Sequence, residues 1–126
     1  MKEKRIKVLK VEPKKLPEVC ELENELDALQ KAVSIGADYQ GLIEIISLSN
    51  DICILCNEEG KLIGLEPNRR LGNDILCGIF YVTGQDDDGN LTSLDVMSMA
   101  YYKKIFSEIE DISPDEVEPT VKIFFD

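Results

Sequence analysis

The chain of 126 residues contains no histidine. Histidine is the side chain that most often serves as a general base near neutral pH, so its absence removes the commonest acid–base catalyst. The sequence also lacks the GxGxxG fingerprint and the GxxxxGKS or GxxxxGKT loop that hold nucleotide phosphates. We therefore predict that the protein is not an enzyme and that it uses no cofactor.

Basic side chains are scarce. The chain has 14 Lys and Arg against 25 Asp and Glu, a net charge of −11. Residues 1–15 hold seven of the bases and two of the acids, a local charge of +5, so residues 16–126 carry −16. This balance argues against direct binding of nucleic acid and favours a partner with a basic surface.

Long apolar runs are also missing. No run approaches the length of about 20 residues that a helix needs to cross a bilayer, so we predict no membrane contact. The chain opens with Met-Lys-Glu-Lys-Arg and lacks the apolar segment of a secretory signal. A reducing, cytoplasmic setting is therefore expected for the four cysteines, which are Cys20, Cys53, Cys56 and Cys77.

Two patterns that resemble metal sites are incomplete. Cys53 and Cys56 have the CxxC spacing of a zinc or redox site, but they lie in an apolar strand pattern, and no second CxxC or histidine completes four ligands. The acidic stretch at 85–90 resembles the start of a calcium loop, yet the glycine and the final glutamate of that loop are absent. We predict buried thiols, a solvated turn and no metal site.

The length of the chain predicts a single domain spanning residues 1–126, because a chain of this size buries enough surface to hold one core. Runs rich in Val, Ile and Leu, bounded by turn residues, indicate β-strands. The most β-prone run, residues 75–83, is predicted to be the central strand. The other predicted strands are residues 5–12, 42–48, 52–56 and 61–65, of which the last three form a meander.

Two helices are predicted, at residues 24–36 and 94–109, with Asn24 capping the first and a Thr92–Asp95 capping box opening the second. We expect them to cover a single, largely antiparallel sheet of about five or six strands, which makes the fold class α+β. The apolar residues of the second helix recur every three or four positions and predict a core face, formed by Leu94, Met97, Tyr101, Ile105 and Ile109 and widened by Met99, Tyr102 and Phe106.

Residues 67–73 are predicted to form an irregular corner that carries the adjacent Arg69 and Arg70. Guanidinium groups on a rigid corner can hold a phosphate or a carboxylate. The same arginines can instead be neutralised by nearby glutamates such as Glu58, Glu59 or Glu66. Both interpretations stay open. In the first, the ligand-binding residues are Lys61, Asn68, Arg69 and Arg70.

Clustered carboxylates offer a second kind of candidate site. Because such clusters can imitate the spaced phosphates of a nucleic acid, they can occupy the basic surface of a protein that binds nucleic acid. The candidate partner-binding residues are Asp86, Asp87, Asp88, Glu108, Glu110 and Asp111.

Six segments of the chain carry a family resemblance, namely IKVLKVEP, ENELDALQKAV, GLIEI, NEEGKLIGLEPNRRL, DILCGIFYVTG and DDDGNLTSL. Together they resemble the family described as domain of unknown function 3846 (DUF3846), over about residues 5–109. The chain departs from the family pattern at residues 34–40, and residues 110–126 are left as an acidic linker with a possible C-terminal strand at 121–125. The resemblance implies a small protein of bacterial phages and mobile elements, active in the cytoplasm of the host.

Two functional hypotheses follow. In the first, the protein is a non-catalytic counter-defence factor whose acidic surface binds and inhibits a host defence protein. In the second, it sequesters a small anionic ligand, such as a signalling nucleotide, through Lys61, Asn68, Arg69 and Arg70. Charge alone does not decide between them, because many intracellular proteins are acidic. We favour counter-defence by binding, with a lean to a protein target, and an enzyme is disfavoured by the missing motifs.

Overall fold

A computed structural model describes residues 3–117 of the chain. This part contains eight strands, two α-helices and one 3-10 turn. The predicted C-terminal strand at 121–125 lies outside the described residues. The strands are β1 Arg5–Val11, β2 Glu18–Glu23, β3 Ile43–Ser49, β4 Ile52–Asn57, β5 Pro67–Leu71, β6 Asp74–Cys77, β7 Phe80–Gln85 and β8 Leu91–Thr92; the helices are α1 Leu26–Ala32 and α2 Val96–Ile105, and the 3-10 turn is Pro114–Glu116.

The main sheet has the order β2-β1-β7-β4-β3, and β8 adds a short pairing to β7. Every pairing in it is antiparallel. The predicted α+β class, with a largely antiparallel sheet of about five or six strands and two helices, is confirmed. Neither helix within residues 3–117 has the length and apolar character needed to cross a membrane.

The predicted central strand at 75–83 is divided at Gly78. Gly78 has φ +84°, and a Cβ at this position would lie 2.7 Å from Cδ1 of Leu65. A side chain would therefore clash there and would also strain the backbone. The second half of the run, β7, does lie at the centre of the main sheet, between β1 and β4. The first half, β6, pairs with β5 in a separate two-stranded sheet, so the prediction of one continuous strand is wrong.

The predicted meander ends after two strands. Residues 61–65 form turns in place of the predicted strand, and the run 67–73, predicted to be irregular, contains β5. The turn is stabilised locally, since the amide of Ile63 donates to the Glu59 carbonyl at 2.9 Å and the amide of Leu65 donates to the Gly60 carbonyl at 2.9 Å. Because these amides bond within the turn, they are not available to a sheet, and β4 pairs with β7 instead.

The first helix begins later than predicted, and Asn24 does not cap it. The N-cap is Glu25, which makes no capping bond with its side chain. The buried Asn24 amide donates instead to the carbonyls of Glu3 at 2.9 Å and Leu91 at 3.1 Å. Asn24 therefore ties the N-terminal strand to β8, a long-range role that local helix-capping rules do not detect.

The second helix packs on the sheet through the residues predicted to widen its core face, Met99, Tyr102 and Phe106, and not through most of the face itself. Its N-cap is Asp95, whose carboxylate accepts from the Ser98 amide at 2.8 Å, so Thr92 is not the cap. The buried side chains are Met99 and Phe106, and the Phe106 ring meets that of Phe80 edge-on at 5.2 Å. The predicted core face is wrong at four of its five positions, which are exposed: Met97, Tyr101, Ile105 and Ile109.

Both faces of β4 are covered, which explains its unbroken apolar sequence. Ile54 and Cys56 pack on the side of α2, whereas Cys53 and Leu55 pack on the side of α1. A third, smaller cluster lies under β6, where Ile112 contacts apolar side chains of the β5–β6 sheet. The predicted acidic linker at 110–126 therefore folds onto the protein at its start.

Candidate functional site

Arg69 is fully buried and its guanidinium is surrounded by carbonyl oxygens. Its Nε and Nη2 donate to the Phe106 carbonyl at 3.2 and 2.8 Å, and Nη2 also donates to the Lys15 carbonyl at 2.8 Å. Nη1 donates to Oδ1 of Asn68 at 2.7 Å. Burial lowers the pKa of the Arg69 guanidinium, and the nearby Glu110 carboxylate opposes that shift. The side chain thus joins the end of α2, the β1–β2 loop and β5 inside the protein.

Asn68, like Arg69, is buried and forms its hydrogen bonds within the protein. It is fully buried, and its Nδ2 donates to the carbonyls of Val11 and Gly78, both at 2.9 Å. Its Oδ1 accepts the bond from Arg69. All three bonds lie within the protein, so Asn68 and Arg69 do not face a ligand at the surface.

Arg70 is exposed and is neutralised by two carboxylates. Its Nη2 lies 2.6 Å from Oε1 of Glu116, and its Nε lies 3.3 Å from Oε1 of Glu110. The hydrogen bond to Glu116 raises the pKa of Arg70, and the same bond lowers the pKa of Glu116. The glutamates involved are not Glu58, Glu59 or Glu66, the partners considered from the sequence, because the described chain returns over β5 after α2.

Lys61 lies apart from the arginines. It forms an ion pair with Asp74 at a cleft of about 270 Å³ that Cys56 and Cys77 also line. The structure therefore does not bring the four predicted ligand-binding residues together: two are buried and bonded internally, and two are paired with acids at separate places. Sequestration of an anion stays a prediction without an assembled site at these residues.

The two cysteines of the CxxC pattern point to opposite faces of β4 and are buried, as predicted. The Cys53 sulfur lies 3.2 Å from Oγ1 of Thr83, and the Cys56 thiol donates to Oε1 of Glu44 at 3.8 Å. Burial raises the pKa of Cys56 to about 12, so this thiol is protonated at neutral pH. Within residues 3–117, no three acidic, cysteine or histidine side chains are grouped in a way that could hold a metal ion.

The six candidate partner-binding acids form two patches. Asp86, Asp87 and Asp88 lie in the turn after β7, where the Asp86 carboxylate accepts backbone bonds from Asp88 and Asn90. These bonds, with Asn90 first, lower the pKa of Asp86. The other three follow α2, whose ten residues place about 15 Å between its ends. The second patch consists of Glu108, Glu110 and Asp111, of which Glu110 is already paired with Arg70.

An exposed apolar stripe runs along α2, which we call the outer face of α2. Met97, Tyr101 and Ile105 recur every four residues, so they lie in one row on the helix surface. The exposed fractions of Met97 and Tyr101 are 82% and 61%. The Tyr101 ring meets the ring of Tyr102 edge-on at 5.0 Å, and Tyr102 in turn packs on the core. The periodic pattern had identified these residues but assigned them to the core.

Comparison with known proteins identifies a family without an assigned activity. The model of the family described as domain of unknown function (DUF3846) matches residues 6–107. No curated protein and no solved structure shows significant similarity to the chain. The matched residues run from β1 through α2, which is the whole of the main sheet and both helices. The chain therefore belongs to the DUF3846 family.

Proposed function

We propose that the protein acts without catalysis, by binding a host protein and inhibiting it, as a counter-defence factor of a phage or other mobile element. The main support for this proposal is the exposed apolar row on the outer face of α2. Exposed Met and Tyr side chains on a rigid helix are typical of the centres of protein interfaces. Their place in a contiguous row distinguishes them from the single apolar residues that any surface carries.

Met97 and Tyr101 are the most exposed side chains of the row. Removing a Met or aromatic side chain of this kind from water contributes roughly 1.5–3 kcal/mol for full burial. The contact of Tyr101 with Tyr102 holds the ring in place before binding, so less conformational entropy is lost on association. A partner surface that covers the row would therefore gain free energy with little reorganisation of this protein.

The charges around α2 indicate which residues would border the apolar contact site on the partner. Exposed acids lie at both ends of α2, with Asp95 before the helix and Glu108 and Asp111 after it, and two exposed bases, Lys103 and Lys104, lie in its last turn. Together with the net charge of −11, the acids favour a partner whose apolar contact site is bordered by Lys or Arg. Host defence proteins that act on nucleic acid carry basic surfaces of this kind, and the resemblance to proteins of phages and mobile elements supports such a target.

Affinity purification from bacteria, with and without phage infection, tests the proposal. The tagged wild-type protein is compared with the double variant Met97→Ser/Tyr101→Ser, and bound proteins and released small molecules are identified by mass spectrometry. We expect the wild type to retain a host protein that the double variant loses. The proposal fails if no protein is enriched, or if a small anion is recovered in place of a protein.

A matched control separates the outer face of α2 from apolar exposure in general. Leu62 is 51% exposed and lies in the turn before β5, away from α2. The variant Leu62→Ser should retain the partner as well as the wild type does. Equal loss in both variants would contradict the assignment of the interface to α2, and circular dichroism checks that each variant keeps its secondary structure.

A further inference from the structure

Strand β3 ends the main sheet and leaves one edge free among the described residues. The amide of Glu58 donates to the Leu42 carbonyl at 3.0 Å, which places a hydrogen-bonded pair just before the strand begins. Such pairs recur at every second residue of an antiparallel ladder, so Glu44 and Ile46 also bond to β4. It follows that Ile43, Ile45 and Ser47 direct their amides and carbonyls away from the sheet.

The two edge strands of the sheet differ in the residues that would discourage another strand from pairing with them. Edge strand β2 has three glutamates in its six residues, and Lys10 and Arg5 pair with them from the neighbouring strand. Edge strand β3 has one charge, Glu44, in its seven residues and contains no proline or lysine. Charges and prolines on an edge normally discourage another strand from pairing with it. The edge of β3 therefore lacks this protection.

An apolar groove lies beside the free edge, between α1 and β3. Its volume is about 420 Å³. One wall is formed by residues of α1, a helix of seven residues. Leu26 contributes to it and is 66% exposed. Leu42 and Ile45 complete the exposed apolar wall, at 58% and 50%.

The chemistry of the two sides of β3 specifies what would pair with it. Ile45 faces the groove, and the side chain of Glu44 lies on the opposite side, as alternation along a strand requires. Glu58 lies on the rim of the groove. Neither carboxylate forms an ion pair with a base in the described part of the chain. An added strand would therefore need apolar side chains toward the groove and a basic side chain opposite Glu44, beside the apolar Ile46 and Leu48 of that side.

We propose that the free edge of β3 binds an extended segment of a partner protein as an additional strand, with apolar residues toward the groove and a Lys or Arg opposite Glu44. The inference rests on the proposed function only in that the segment belongs to a protein, and it names a surface separate from the outer face of α2. A second copy of this chain fits less well, because β3 offers no base to face Glu44 and each copy carries a charge of −11.

The test uses the full-length protein and the peptide Lys-Val-Lys-Ile-Lys-Val-Lys, with Glu-Val-Glu-Ile-Glu-Val-Glu as the charge-reversed control. Amide hydrogen exchange is measured by NMR with and without each peptide. We expect the lysine peptide to slow exchange at Ile43, Ile45 and Ser47 by about tenfold or more, because these amides gain acceptors. The glutamate peptide should leave them unchanged. Absence of protection by the lysine peptide, or equal protection by both, would overturn the proposal.

Two variants test the backbone and the charge separately. Ile45→Pro removes an outward amide without breaking a bond to β4, as edge strands permit, and should abolish binding of the lysine peptide. Glu44→Lys should weaken binding by about tenfold or more, whereas Asp111→Lys, the same charge change beyond α2, should alter it far less. If Ile45→Pro fails to fold, Glu44→Lys decides, since it changes an exposed side chain. Retained binding in Glu44→Lys contradicts the proposal.

Exchange without peptide, together with the oligomeric state, shows whether the edge of β3 is already occupied. If the three amides are protected without any peptide, the edge is already occupied and the proposal is wrong, and sedimentation then shows whether the occupant is a second copy or a segment of the same chain. The peptide test does not involve Met97 or Tyr101. Failure at β3 would therefore leave the proposed function untouched, and failure of the α2 variants would leave the edge proposal to be judged on its own result.

Discussion

Arg69 illustrates how a residue that resembles a ligand contact can be a structural one. A guanidinium offers five N–H donors in a rigid fork, which suits several carbonyl acceptors at once. In this protein the acceptors are the carbonyls of Lys15 and Phe106 and the side chain of Asn68. The sequence shows the pair Arg69-Arg70 but does not indicate that one faces inward, because the acceptors come from segments distant along the chain.

We predict that Arg69→Met lowers the free energy of unfolding by about 3–5 kcal/mol, because it leaves buried carbonyls without donors. The control is Arg70→Met, which removes two exposed ion pairs and should have a small effect by comparison. Urea unfolding followed by circular dichroism measures both. Equal destabilisation by the two variants would show that the buried hydrogen bonds of Arg69 are not important for stability.

Because of Cys56, the free energy of unfolding of the protein depends on pH in the alkaline range. Its folded pKa is raised to about 12 from the ordinary value of 9.0, so the folded protein disfavours the thiolate. The stability that comes from keeping this thiol neutral is complete below about pH 9 and is lost as pH rises from there toward about 12. Cys56→Val removes this contribution.

We therefore predict that the free energy of unfolding falls less steeply with pH in Cys56→Val than in the wild type. The difference in slope should approach about 1.4 kcal/mol per pH unit above about pH 9. Denaturant unfolding at a series of pH values measures it, and the comparison between the two proteins cancels the titration of groups that they share. Parallel slopes would mean that Cys56 ionises as readily in the folded as in the unfolded chain.

At the scale of elements, α2 shows where periodicity is informative and where it is not. Two interleaved apolar rows satisfy helical spacing, one through Met97 and Tyr101 and the other through Met99 and Phe106. The rotation of the helix is set by tertiary contacts, such as the bond from the Leu94 amide to the Lys7 carbonyl at 2.8 Å and the contact of Phe106 with Phe80. Spacing alone cannot choose between such rows.

The two methionines provide a direct test of this rotation. Met99→Ala should lower the free energy of unfolding by about 2–5 kcal/mol, because it empties a buried position. Met97→Ala changes a side chain that is 82% exposed and should stay within about 0.5 kcal/mol of the wild type. Thermal or urea unfolding of the matched pair measures both values. The reverse order would place Met97 in the core, as the periodic pattern predicts.

Other elements were predictable to different degrees. The run 52–56 was assigned correctly because both of its faces are buried, which makes the apolar sequence continuous. The division at Gly78 was not, because neither its positive φ nor its close approach to Leu65 can be read from the sequence. The β5–β6 sheet was missed for a related reason, since Asn68 and Arg69 are polar residues that become buried only through long-range hydrogen bonds.

For the whole molecule, the predicted acidic character does not amount to one acidic surface. The turn after β7 and the segment after α2 are separate patches, and some of their carboxylates already have partners within the protein. Carboxylates that make no such bonds are the appropriate ones to change. They are Asp87, Asp88, Glu108 and Asp111.

We predict that neutralising these four acids to Asn or Gln slows association with the partner and reduces the dependence of that rate on salt concentration. Long-range attraction is screened by salt, so it mainly affects the rate of encounter. Stopped-flow or surface-based kinetics at several salt concentrations measures the rates, with unfolding curves as a control for stability. An unchanged association rate would rule out electrostatic attraction through these patches.

The buried contacts of Arg69 have a consequence for the order of events in folding. They join residues 54 and 37 positions apart in the sequence, so they form only after the β1–β2 loop, β5 and the end of α2 have met. Interactions absent from the transition state affect the unfolding rate far more than the folding rate. We therefore expect the contacts of Arg69 to form late in folding. Their chief effect should be to slow unfolding, which lengthens the lifetime of the native state.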